Sequence, residues 1–357
     1  MKDFNWSGEN TIIPEGIYRI TDTLVLGGCL LKGAGIDKTI VVADFDDPEK
    51  AIFNMGWTSK LEDMTICFKK GLVTGNEKFG ERVAIYTKSH FPLQKGAYIR
   101  NVKIDNVGTG IFSTDVPSIC FSVCFENITV TNFSFRGFDI SSPYRTGNIY
   151  SNLYLSSGKF RCDSAFYFGS KVEGDEESET TLNNLVIKDT SARIPLNIEA
   201  TRGFIAENIT LDNVKTEGDS LVFLQDFAGC IDSLTVKNTV LKNSIVKIGL
   251  KSLFTAWSSN YLRIKSLNLI GTVGADGDFK LFDRCREYTD DYYITVDSYN
   301  LNDCENTELL QKFPVADNII FTKKGEPILK ERLCKYYSYK TDVTSGRELV
   351  WDGEKWC

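Results

Sequence analysis

The stretch FENITVTNFSF, Phe125–Phe135, has a near twin in AENITLDNVKT, Ala206–Thr216. Each contains Asn-Ile-Thr, the acceptor pattern for N-linked sugar, at Asn127 and Asn208. The same frame recurs as EDMTICF from Glu62, RNVKIDN from Arg100, SNLYLSS from Ser151, NNLVIKD from Asn183, DSLTVKN from Asp232 and KSLNLIG from Lys265, with a weaker copy, YYITVDS, from Tyr292. Counted from the second residue of each copy, the steps along the chain are 38, 26, 25, 32, 24, 25, 33 and 27, a base period of about 25 residues.

Each copy alternates polar and apolar residues, the pattern of a strand with one buried face. A second short apolar segment follows each, among them GIF from Gly110, GFDI from Gly137, AFYFG from Ala165, PLNI from Pro195, LVFLQ from Leu221, IVKI from Ile245 and FKLF from Phe279. Third, less regular segments follow, such as GFIA from Gly203 and GCID from Gly229. A single turn of this kind cannot bury its apolar face or satisfy its strand edges, whereas neighbours stacked about 4.8 Å apart do both. The expected fold is therefore all-β, a right-handed parallel β-helix with about 25 residues and three short strands per turn. The regular leucine consensus of leucine-rich repeats and the four-strand blades of propellers are both missing.

The repeat gives the asparagines a structural role. Asn101, Asn127, Asn152, Asn184 and Asn208 occupy one place in successive turns, continued by Ser233 and Ser266. Asn and Ser suit a bend where a side chain must satisfy backbone groups, so sugar attachment is not expected there.

Composition narrows the function classes. The chain has 42% apolar and 25% charged residues, 23 Phe and 15 Tyr, enough for a large core. A net charge of −7 without a Lys/Arg run argues against nucleic acid. MKDFNWSGEN lacks the apolar core of a signal peptide, and no run of about 18 apolar residues suggests membrane insertion. Synthesis in a cytoplasm is expected. The ten cysteines are scattered, Cys120 and Cys124 being the closest pair, and read as buried free thiols. A single histidine, His90, cannot supply a His-based metal site or a Ser/His/Asp triad. No metal and no cofactor are expected.

The N-terminal stretch IIPEGIYRITDTLVLGGCLLKGAGIDKTIVVAD, Ile12–Asp44, resembles the opening turns of pectate-lyase-like β-helix proteins, in particular bacteriophage tailspikes and tail fibres. The shared pattern is a proline-glycine turn, an apolar strand, then LKGAG and TIV, with Gly33 and Gly35 suiting a tight corner. With the turns behind it, the resemblance covers roughly residues 10 to 310. The ending TSGRELVWDGEKWC is similar to the Gly-x-x-x-x-Trp-Asp-Gly-x-x-Trp tails that close many phage virion proteins, and WDGEKW reads as a hairpin with Trp351 and Trp356 packed across it. The expected organisation is an extension at 1–11, a β-helix at 12–312 and a capping or attachment segment at 313–357. The resemblance implies a homotrimer in a virion tail, with other tail proteins and a bacterial surface polysaccharide as partners. A polysaccharide depolymerase, hydrolase or lyase, and a structural virion component are the alternatives.

Of the motifs that polygalacturonase-type hydrolases share, only Arg263-Ile264-Lys265 is present. Overlong turns are more informative. One carries KKGLVTGNEKFGER, Lys69–Arg82; two others, three turns apart, carry Lys171–Thr181 and Gly249–Tyr261. The last two should rise from one edge about 14 Å apart, enclosing a groove floored by NIEATRG and FLQDFAG. Glu199 and Asp226 are then the candidate catalytic carboxylates. Arg202, Asn197 and Gln225 are candidate sugar contacts, and Trp257 and Tyr261 candidate stacking platforms. Asp139 and Asp163, on neighbouring turns, form a second possible acid/base pair, with Asp115 a third position.

Overall fold

The computed structural model describes residues 1–304, apart from Asn5, Ser7, Asp219 and the segments 88–91, 114–121, 141–146, 170–179, 242–243, 250–259, 275–279 and 285–291, together with the strands Lys340–Thr341 and Glu348–Leu349. Asp115, Cys120, His90, Trp257 and the WDGEKW tail lie outside the described residues. Among the described residues there is no helix, and so none long and apolar enough to cross a membrane.

The chain forms a right-handed parallel β-helix. Successive turns pair in parallel and in register: Lys60–Phe68 with Tyr98–Ser113, that strand with Cys124–Ile140, then Asn148–Ser156, Thr180–Ala192, Leu196–Thr216, Ser220–Lys237, Asn260–Ile270 and Tyr292–Asn302. A second line of strands runs through Leu24–Gly27, Phe53–Gly56, Val83–Thr87, the ends of Tyr98–Ser113 and Cys124–Ile140, Ser164–Gly169, Leu196–Thr216, Ser220–Lys237 and Ser244–Gly249. At the amino end Lys2–Asp3 pairs with Gly16–Ile20. The pair Lys340–Thr341 and Glu348–Leu349 is antiparallel.

The alternation seen in the sequence places one residue of each pair inside. The interior is a stack of Leu, Ile, Val and Phe, including Phe125, Phe138, Phe166, Phe168, Phe204 and Phe227, all fully buried. Their rings touch from turn to turn: Phe138 and Phe166 centroids lie 5.8 Å apart, Phe168 and Phe204 5.6 Å, Phe204 and Phe227 5.7 Å. At the first corner Gly33 lies so close to the next turn that a Cβ would sit 2.2 Å from the Asp63 carbonyl, and Gly35 takes φ 138°, so both positions require glycine.

The repeated asparagines form a ladder. The Nδ2 of Asn101 donates to Asp63 at 3.0 Å, and Asn127, Asn152, Asn184 and Asn208 each donate to the Oδ1 one turn back at 2.8–2.9 Å. Asp63, Asn101, Asn127, Asn152 and Asn184 all have φ of 50–60°, the left-handed region that Asn tolerates better than other non-glycine residues. A second left-handed column passes through Asn106, Asn132, Asp189, Asn213, Asn238 and Asp303. Asn152→Ala should lower stability by about 2–3 kcal/mol, from strain of about 1–2 kcal/mol and the loss of two exposed hydrogen bonds. Asn152→Gly keeps the conformation and should lose about half as much. Equal thermal destabilisation of the two variants would show that backbone strain plays no part.

The last copy corrects the sequence register. Ser266 pairs with Ser298, not with Tyr293, so the ninth copy begins at Asp297 and the final step is 32 residues (298 − 266) rather than 27. YYITV, Tyr292–Val296, instead pairs with NYLRI, Asn260–Ile264. Both segments alternate, and alternation fixes which face is buried but not which turn residue comes opposite.

Among the described residues Cys29, Cys67, Cys124, Cys162, Cys230 and Cys304 are free thiols, Cys29 and Cys162 buried and the other four half-buried. Burial pushes the Cys162 thiol up to about 12, which keeps it protonated and unreactive.

Candidate site on the second line of strands

The second line of strands carries a column that joins several candidate residues. In register, Tyr86 is followed by Phe112, Asp139, Tyr167, Asn197, Phe223 and Lys247. Two residues further along each strand, Gly169 is followed by Glu199, Gln225 and Gly249. Gly169 and Gly249 are the last strand residues before 170–179 and 250–259, so the bases of the two overlong connections stand three turns apart with Glu199 and Gln225 between them. The connections themselves fall outside the described residues.

Glu199 is half-buried and accepts hydrogen bonds from Tyr167 Oη at 2.9 Å and Asn197 Nδ2 at 3.2 Å. Burial, reinforced by the Glu199 charge and hydrogen bond, pushes the Tyr167 hydroxyl well above its ordinary range, so Tyr167 stays a donor. The Asn197 amide oxygen is buried without a hydrogen-bond partner, an acceptor held in place by its bond to Glu199 on the other side. Gln225 is buried beside them. Asp226 is one residue past the register partner of Glu199, on the adjacent turn. Arg202 pairs with Ala228 and Tyr261 with Ala228 on the following turn, which places both backbones on the same line; their side chains, like that of Asp226, lie outside the described residues.

The other carboxylates are bound into a cationic network. Arg136 reaches Asp139 at 2.8 Å and Asp163 at 2.7 Å, and Arg193 holds the other oxygen of Asp163 at 2.8 Å. The guanidinium of Arg136 also lies 4.1 Å from the Tyr167 ring centroid, a cation–π contact that links this network to Glu199. Burial opposes ionisation of Asp163, but Arg136 and Arg193 outweigh it and hold the carboxyl below its usual range. Asp139 is fully buried. Neither carboxyl is placed to exchange protons with a substrate: one is fixed as an anion by two guanidinium groups, and the other has no exposed surface.

Sequence reasoning named Asp139, Asp163, Glu199 and Asn197 but missed Arg136 and Tyr167, which connect them. The signal was present in the second segments: aligned by turn, GFDI and AFYFG put Asp139 opposite Tyr167 and bring Arg136 beside Asp163. Arg263-Ile264-Lys265 has a structural role. Arg263 pairs with Asp297 at 2.7 Å, Lys265 with Asp232 at 2.7 Å, and Ile264 lies in the core. Among the described residues no group of His, Cys, Asp and Glu could hold a metal ion.

The Lys69–Arg82 connection lies along the surface. The Glu77 carboxylate accepts from the amides of Thr74 and Gly75 and from Ser134 Oγ, Phe79 packs against Phe112 and Phe135, and Gly75 touches the Phe160 ring. Arg82 donates to the carbonyls of Phe45 and Asp46, anchoring the far end.

No protein-family model and no curated protein matches the sequence. Solved structures do share its architecture. The catalytic domain of a GH87 α-1,3-glucanase in complex with nigerose aligns with TM-score 0.50 at 14% identity over 88% of this chain and 64% of its own. The same type of domain in complex with tetrasaccharides gives 0.51 at 12% identity, over 88% and 64%. This chain is a parallel β-helix protein. At these identities the likeness is one of fold, and this chain spans 64% of the length of the glucanase chains it matches. The tailspike gp42 of an Acinetobacter phage aligns at TM-score 0.49 and 11% identity, over 90% of this chain and 59% of the tailspike chain, too distant to bear on function.

Proposed function

We propose that this β-helix recognises a bacterial surface polysaccharide as part of a phage tail, working as a homotrimer. The observation that carries the recognition reading is the placement of Glu199, Asn197, Gln225 and Tyr167 together between the bases of two overlong connections. Sugars offer hydroxyls to carboxylates and amides and an apolar face to aromatic rings, and Phe223, half-buried in the same column, provides such a face. The resemblance of Ile12–Asp44 and of the terminal TSGRELVWDGEKWC to phage tail proteins supports the location and the trimer.

Binding is favoured over cleavage by the state of the described carboxylates. Asp139 and Asp163 are neutralised by Arg136 and Arg193. From strand geometry, the Glu199 and Asp139 backbones stand two turns apart, about 12 Å, and Asp139 is fully buried against Arg136. Glu199 and Asp226, about 6 Å apart along the backbone by the same geometry, form the pair that a depolymerase would use. The purified protein should therefore retain host polysaccharide on a sensor surface while releasing neither new reducing ends nor unsaturated sugar. Appearance of either product, with loss in Glu199→Gln or Asp226→Asn, would replace this function by the depolymerase. Failure to bind the polysaccharide of any host strain would reject recognition.

A further inference from the structure

A depression of about 380 Å³ opens at the corner formed by Ser157–Arg161, Asp189–Ser191, Asn213 and Lys215. Its volume is at the lower end of the range for ligand sites. The floor is rigid. Ser157 and Thr190 are buried, the Ser157 amide donates to Thr190 Oγ1 at 3.2 Å, and Asn213 Nδ2 donates to Asp189 Oδ1 at 2.7 Å. Phe160 forms one side and is held by the Gly75 end of the Lys69–Arg82 connection.

The charge of the rim runs against that of the chain. The protein carries a net charge of −7, yet the lining holds Lys159, Arg161 and Lys215 against the single carboxylate of Asp189. Arg161 is paired with Glu217. Lys159 and Lys215, both exposed, have no ion-pair partner among the described residues. Two ammonium groups without ion-pair partners among the described residues, beside the half-buried Ser191 hydroxyl, the exposed Asn213 amide and an aromatic side, fit a ring bearing a negative group: ammonium meets the anion, the Ser191 hydroxyl and Asn213 amide meet ring hydroxyls, and the Phe160 face meets the C–H surface. Arg161 and Asp163 are two residues apart, about 7 Å along the chain, so the depression adjoins the Arg136–Asp163–Arg193 network, whose Arg136 guanidinium lies over the Tyr167 ring.

We propose that this depression is a subsite for an anionic sugar unit, one carrying a carboxylate, sulfate or phosphate, with Lys159 and Lys215 as its charge-selecting residues. This rests on the glycan-recognition function and specifies it: the polysaccharide is acidic. The test is an array of acidic and neutral bacterial capsular and O-chain polysaccharides probed with the wild type and with Lys159→Gln/Lys215→Gln, including carboxyl-reduced forms of each acidic polymer and, in solution, inorganic sulfate and phosphate as competitors. The wild type should bind acidic polymers, lose them on carboxyl reduction or in competition with the matching anion, and weaken as salt rises. The double variant should bind about tenfold more weakly for each lysine removed, with an unchanged melting temperature because both side chains are exposed. Acidic polymers retained equally by the double variant overturn the subsite but leave recognition standing, as does selective binding of neutral polymers. An array on which nothing binds overturns both.

Discussion

Arg136→Leu should lower the stability of the β-helix by about 3–5 kcal/mol at neutral pH, the range for removing one partner of a buried ion pair. Asp139 is fully buried and would lose the guanidinium 2.8 Å away, while Asp163 would keep only Arg193. The loss should depend on pH with a definite sign. In the native protein the Asp163 carboxyl is held below its usual range, with burial opposed by Arg136 and Arg193. Its stabilising contribution is therefore present above the unfolded-state value of about 3.9 and disappears as pH falls through the lower folded-state value. Removing Arg136 takes away part of that contribution, so the gap between wild type and variant should be widest near pH 7 and narrow below about pH 4. Urea midpoints at a series of pH values measure it; a gap constant across the series would show that Arg136 acts through packing alone.

The second large effect is expected inside. Phe168→Ala should lower stability by about 3–5 kcal/mol through cavity formation. The Phe168 ring touches Tyr150, Phe166 and Phe204, with centroids 5.9, 6.4 and 5.6 Å away, and so joins three turns. In a solenoid each turn is stabilised mainly by its neighbours, so weakening one junction should also separate the calorimetric melting of the two halves. Phe168→Leu, which keeps most of the volume, should restore a single transition. A loss below about 1 kcal/mol in the alanine variant, outside the usual range for Phe→Ala, would mean that the interior relaxes around the missing ring.

The fold was legible because it is written many times over. A strand face that recurs at a fixed period in FENITVTNFSF and AENITLDNVKT constrains the turn length, the buried face and the bend at Asn127 and Asn208 together. Where repetition weakened, so did the inference: YYITV and DSYNL alternate equally well, and only the pairing of Ser266 with Ser298 decides between them. The site was less legible because it is built across turns rather than along the chain. In RCDSAF Asp163 reads as a free acid, and nothing nearby in sequence reveals that Arg136 and Arg193, about one turn before and after, bind it. Glu199 was found from the lengths of the connections on either side of its turn. Tyr167, which holds it, stands one turn back, and aligning the second segments would have placed it there.

The asparagine ladder has a direction. In every step the Nδ2 faces the amino end and the Oδ1 the carboxyl end, so the side-chain dipoles of Asn101, Asn127, Asn152, Asn184 and Asn208 add head to tail. The positive pole of that row meets Asp63, whose carboxyl is kept below its usual range when Lys32 and Asn101 outweigh burial. A carboxylate at this pole plays the part of an acidic residue at the first turn of an α-helix. The opposite pole ends in the Asn208 carbonyl, and Ser233 takes the place in the next turn. The column is thus a polarised rod laid along the outside of the coil: further asparagine turns could be added at its carboxyl end without disturbing the charge that terminates it, while the end at Asp63 is closed.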